Sequence, residues 1–140
     1  MRGTKPHLKL ERDVLPNMPA PAFMGQDAKD EWNRVFPILV ERKILTMADL
    51  GILENYCEAI GLAREMGREI KKLGAVQLIY QVDKEGNSRV ISSRKNPAVS
   101  VQADASNRAR LMASELGLTP VSRSRPTVSN EDDEDDLFNF

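Results

Sequence analysis

Apolar positions change period twice along this chain, and each period predicts a different kind of element. After Asp27, the residues Ala28, Trp32, Val35, Phe36 and Leu39 recur at helical spacing and define one apolar face. Pro37 falls inside that pattern, where it removes a backbone donor and crowds the preceding turn, so a kink or a division into two helices is expected. Arg42 and Lys43 close this first helix, and Thr46 followed by Asp49 has the form of a capping arrangement for the next. Leu50, Leu53, Tyr56, Cys57, Ile60, Ala63, Met66, Gly67, Ile70 and Leu73 then sustain a stripe until Gly74. Roughly 27 residues at ~1.5 Å each predict a rod of ~40 Å. The short link between these helices implies an antiparallel hairpin with more apolar surface than two helices can hide from water.

Between Ala75 and Ser92 the period becomes two. Val76, Leu78, Tyr80 and Val82 alternate, Gly86 and Asn87 turn the chain, and Val90 with Ile91 return. A lone two-stranded ribbon is marginal in water, so this β-hairpin is expected to pack on the helices or to pair with a neighbouring subunit. The helical period resumes after Asn96, a capping residue with Pro97 behind it in the first turn. Ala98, Val101, Ala105, Met112 and Leu116 form its stripe, with small residues that let another helix approach closely. Gly117 is the natural left-handed stop, and Pro120 bars continuation.

These elements predict a mainly α fold: an antiparallel helical hairpin with a small β-hairpin and a further C-terminal helix. Four prolines, Pro6, Pro16, Pro19 and Pro21, make residues 1–25 a flexible basic arm. Residues 26–118 form the helical core and oligomerisation domain, with the hairpin near 75–92. Residues 119–130 read as a Ser, Arg and Pro linker, and 131–140 as an acidic, Phe-ended tail for docking a partner.

Charge sharpens this division. Six of the 21 acidic residues lie between Glu131 and Asp136, so the rest of the chain, with its 20 Lys and Arg, is about +5 despite a net charge of −1. A basic body with an acidic tail suits a polyanionic partner. An aromatic content of 5% is low for a self-sufficient core, and oligomerisation is one remedy. Cys57 is the only cysteine, so no intramolecular disulfide forms and a reducing compartment is permitted. No apolar run reaches membrane-spanning length, which predicts a cytosolic protein.

Catalytic chemistry finds little to use. His7 has no Cys, Asp or Glu at metal-ligand spacing, and Cys57 lies on an apolar stripe without a base beside it. Gly61 and Gly67 are not followed by the Lys-Ser or Lys-Thr of a phosphate-cradling loop. Glu54 with Glu58, and Glu65 with Glu69, stand one turn apart but alternate with bases, as a solvated face does. No enzyme activity, cofactor or metal is expected.

Binding residues are easier to nominate. For DNA they are Arg2, Lys5, Lys9 and Arg12 in the arm, and Arg64, Arg68, Lys71 and Lys72 along one side of the second long helix. The last of these also suit the negative end of that helix's dipole. Arg94, Lys95, Arg108 and Arg110 rank behind them. For a protein partner they are Asp135, Asp136, Leu137, Phe138 and Phe140, where acids steer toward a basic groove and an aromatic ring enters a pocket.

Several of these features occur together in order: Arg2, Gly3, Lys5 and Pro6; Glu31, Trp32 and Pro37; Leu45, Thr46, Asp49, Leu50, Tyr56 and Cys57; Asn96 to Ala98; and Glu115 to Arg123. In that order and spacing, up to about Arg125, the chain resembles the small terminase subunits of tailed bacteriophages, in the family typified by phage P27. The resemblance implies a non-catalytic protein of the bacterial host's cytoplasm that assembles as a homo-oligomeric ring. It implies partners in double-stranded viral DNA at the packaging site and in a large terminase subunit that holds the ATPase and nuclease. The alternative suggested by the tail is a single-stranded-DNA-binding or replication accessory protein, although the strands and stacking aromatics of an OB-fold are missing. A dimeric helix-turn-helix repressor fits less well, because the second helix is too long for a compact recognition unit.

Overall fold

A computed structural model of the chain describes residues 15–124. Its elements run α1 (Gln26–Glu41), a single 3-10 turn (Met47–Asp49), α2 (Leu50–Leu73), β1 (Val76–Val82), β2 (Ser88–Lys95), α3 (Pro97–Glu115) and α4 (Pro120–Ser124). The fold is mainly helical with a two-stranded antiparallel hairpin, as the periods predict.

α2 is the central helix. α1 runs antiparallel along it, with Asp27 beside Arg68 and Glu31 beside Arg64 and Tyr56. α3 returns along another side, where Gln102 Nε2 donates to the Ala63 carbonyl at 3.2 Å. Small residues set both approaches. A methyl group built on Gly61 would come within 3.1 Å of the Ala28 nitrogen, and Ala98, Ala105 and Ala109 form the buried side of α3. Val101, expected in that stripe, is exposed instead, and Gln102 turns inward to reach the α2 backbone.

The core centres on α1, where Trp32 and Phe36 stack with ring centroids 5.2 Å apart and Val35, Leu39, Leu53 and Cys57 are fully enclosed. Pro37 does not divide α1. It lies on the exposed side, as does Asn33, whose carbonyl loses its usual helical donor. The helix ends in a Schellman turn in which Ile44 N–H donates to Leu39 O and Lys43, at φ 56°, donates to Val40 O. α3 closes the same way through Gly117 and Leu118, and Ile44 lies against Gly117.

Three local expectations shift. The Thr46 and Asp49 pair does close a capping box, but around the 3-10 turn, which shortens α2 to 24 residues. Residues 15–24 contain no helix or strand, yet they lie on the core: Leu15 and Met24 are buried, and Trp32 Nε1 donates to the Met18 carbonyl at 3.0 Å. The first residues after Thr119, expected as linker, form α4, because Thr119 and Ser122 exchange hydroxyl and amide bonds around Pro120 at the first helical position.

The β-hairpin departs from one of its two expectations: it does not pack on the helices. Apart from half-buried Gln77 every strand residue is exposed, and the ribbon leaves the helices at a base formed by Ala75 and Asn96. Asn96 is itself buried. Its N–H bonds Ala75 O at 2.8 Å, its Nδ2 bonds Gly74 O at 2.9 Å, and its Oδ1 accepts the Ala98 N–H at 3.0 Å, so one side chain caps α3 and fastens the ribbon.

Candidate nucleic-acid interface

The α2 stripe is the first sequence candidate the structure can place. Arg64, Arg68 and Lys71 converge on a shallow recess of about 480 Å³ that Gln102 also lines. Two of these cations already have carboxylate partners. Arg64 donates to Glu31 at 3.0 Å, and Arg68 holds Asp27 through two bonds of 2.6 and 3.2 Å. Lys71 and Lys72 sit in the last turn of α2, at the negative end of its dipole.

Glu31 explains the first pairing. It is 1% exposed, and it accepts bonds from Arg34, Arg64 and the Tyr56 hydroxyl. Burial raises its proton affinity, but the bonds from Arg34 and Tyr56 and the charges of Arg34 and Arg64 outweigh that, so its carboxyl stays below the ordinary glutamate value. A buried carboxylate without such partners would be costly. Arg64 therefore completes the folded core, a role that residue spacing alone does not reveal. Asp27 is likewise held low, chiefly by its bond from Arg68. Burial, then the bond to Glu31, pushes the Tyr56 hydroxyl up to about 12, so it remains a donor.

On another side of α2 lies an open groove of about 1000 Å³ between the start of α1 and the end of α3. Its charged lining is Asp27, Glu58, Glu65 and Glu115 against Arg68 and Arg108. The acidic excess makes this groove unfit for a phosphate backbone. Among the described residues, no group of three His, Cys, Asp or Glu is placed to hold a metal ion. Cys57 is fully buried, and burial, with the charges of Glu31 and Glu58 adding to it, pushes its thiol up to about 12.

The ribbon separates its chemistry by face. Register pairs Val76 with Lys95, Leu78 with Ser93, Tyr80 with Val90 and Val82 with Ser88 on one face. Gln77 pairs with Arg94, Ile79 with Ser92 and Gln81 with Arg89 on the other. A bulge beside Ile79 and Tyr80 accommodates Ile91 between these pairs. The first face carries five large apolar side chains, 49–65% exposed, which nothing among the described residues covers. The second is polar and basic: Arg94 Nε donates to Gln77 Oε1 at 3.0 Å, and Arg89 Nη2 to Gln81 Oε1 at 3.1 Å. Of these residues only Arg94 stood among the sequence candidates. The signal was present in the alternation of Gln77 and Gln81 against the apolar positions.

The other candidates divide simply. Arg2, Lys5, Lys9 and Arg12, and Asp135, Asp136, Leu137, Phe138 and Phe140, lie outside the described residues. Arg108 lines the acidic groove. No described helix is long and apolar enough to cross a membrane.

Residues 28–133 match the family model described as phage terminase, small subunit. No curated protein and no solved structure matches the chain.

Proposed function

Because the chain belongs to the phage terminase small-subunit family, we propose that it is a non-catalytic packaging adaptor of a tailed phage or prophage. It binds double-stranded viral DNA at the packaging site, and it recruits and regulates the large subunit that carries ATPase and nuclease. Within the family, the Asn96 to Ala98 and Glu115 to Arg123 motifs favour the P27 type. It works in the cytoplasm of the bacterial host as a homo-oligomeric ring, and the acidic, Phe-ended tail docks the large subunit.

The observation that carries the assembly is the ribbon's apolar face. Burying five such side chains between copies returns about 25 cal/mol for each Å² removed from water, while a lone ribbon leaves that area wet. In a ring, weak DNA contacts on each copy act together through effective concentration. The adaptor role is tested by mixing the full chain with the large subunit and a duplex carrying the phage's packaging site. Co-migration of all three is expected, and capture should be lost when residues 131–140 are removed. Failure of the full chain to capture either partner would overturn the reading.

A further inference from the structure

We propose that the polar face of the β1–β2 ribbon is a sequence-reading surface that lies in the major groove of duplex DNA. The proposal deepens the DNA-binding reading above and rests on it. The major groove, about 12 Å wide, admits a two-stranded ribbon, and it presents a distinct pattern of donors and acceptors for each base pair. Arginine and glutamine are side chains that read this pattern by paired hydrogen bonds, arginine on guanine O6 and N7 and glutamine on adenine N6 and N7. Here they make up most of one face, with Ile79 and Ser92 between the two pairs and no carboxylate among them.

The geometry is ordered for such a task. Each guanidinium is braced by the glutamine across from it. An arginine has five N–H groups, so one bond to glutamine leaves several for a base. Gln77 and Gln81 are four residues apart on one strand, a span of ~13 Å. At ~3.4 Å of rise per base pair, the two Arg–Gln pairs reach positions about four base pairs apart.

The setting also favours this face. Its reverse is apolar and suits protein, so covering that side with a second copy turns the arginines outward. Lys84 in the turn adds a positive charge near one end. The ribbon's acids, Asp83 and Glu85, are confined to the turn, where Asp83 Oδ1 accepts the Glu85 and Asn87 N–H groups. On α2, by contrast, Arg64 and Arg68 are each paired with a carboxylate.

The test uses the full chain and a library of DNA duplexes with a randomised centre, followed by affinity measurements on the enriched duplex and a scrambled one. The wild type should enrich a motif with two preferred positions about four base pairs apart. The Gln77→Ala/Gln81→Ala variant should bind the enriched duplex at least about fivefold more weakly, with little change on the scrambled duplex. Arg89→Ala/Arg94→Ala should weaken both, and Gln81→Glu, which keeps the side chain's length, should also lose the enriched duplex. Native mass and circular dichroism verify that each variant stays folded and assembled. Variants that keep the wild type's motif and affinity would place reading elsewhere and overturn the proposal while DNA binding stands. Variants that keep DNA binding but lose the large subunit would make the face a protein contact, which also overturns it. No duplex binding by the wild type would remove both the proposal and the reading beneath it.

Discussion

Asn96 and Gly74 are joined across the root of the ribbon, with Asn96 Nδ2 donating to the Gly74 carbonyl at 2.9 Å while the same side chain caps α3. Gly74 has φ 83°, a conformation that side-chain-bearing residues rarely adopt. One buried amide thus decides both where α3 begins and how the ribbon departs from the helices.

Replacing it separates the two roles. Asn96→Ala loses the cap and the tie, and should cost about 1–3 kcal/mol in denaturant unfolding. Asn96→Asp keeps the cap's acceptor but removes the donor and turns a buried carboxylate oxygen toward the Gly74 carbonyl, so it should cost no less than Asn96→Ala and should speed amide exchange at the ribbon base. Equal exchange in Asn96→Asp and wild type would deny the amide its role at the ribbon.

Glu31 should make stability depend on pH. Its folded value lies below its unfolded one, so its contribution is complete above the ordinary glutamate value of about 4.3 and is lost as pH falls through the lower folded value. The urea midpoint of the wild type should therefore drop on acidification below that point, and Glu31→Gln should flatten the drop. Parallel curves for the two proteins would mean that Glu31 titrates alike in both states.

Two glycines of α2 should respond oppositely. Nothing lies within 4 Å of a methyl group built on Gly51, so Gly51→Ala should stabilise by up to about 1 kcal/mol through helix propensity. At Gly61 the same methyl presses on the Ala28 backbone at 3.1 Å, so Gly61→Ala should lose that benefit and Gly61→Leu should cost about 2 kcal/mol or more. Thermal unfolding of the three variants measures both effects. A well-tolerated Gly61→Leu would contradict the close α1–α2 contact.

Cys57 should resist chemistry. Fully buried and with its thiol pushed up to about 12, it should react with a thiol reagent at mildly alkaline pH only after unfolding. Rapid stoichiometric labelling of the folded protein would show that the α1–α2 core opens readily.

Local punctuation and period made most of the architecture legible. Asn96 with Pro97, and Gly117 before Pro120, bracket α3 because capping chemistry is encoded within a few residues. The ribbon followed from alternation on either side of the Gly86 and Asn87 turn. Contacts distant in sequence were harder to read. Arg64 and Arg68 stand in a basic row, and nothing local shows that Glu31 and Asp27 await them 33 and 41 positions earlier. Glu31 did leave a trace, as a charged residue one turn after Ala28 within an apolar face. Whether a ribbon packs on its own helices is likewise a tertiary matter, and Gln77, Gln81 and Arg89 gain their interest only once its two faces are seen apart.

The central claim is that identical copies cover the ribbon's apolar face. Native mass spectrometry of the full chain tests it most directly. Assemblies several times 15.7 kDa are predicted for the wild type, falling toward 15.7 kDa in Tyr80→Ser/Val90→Ser with helical content retained. A wild-type protein found only at 15.7 kDa at micromolar concentration would contradict the account.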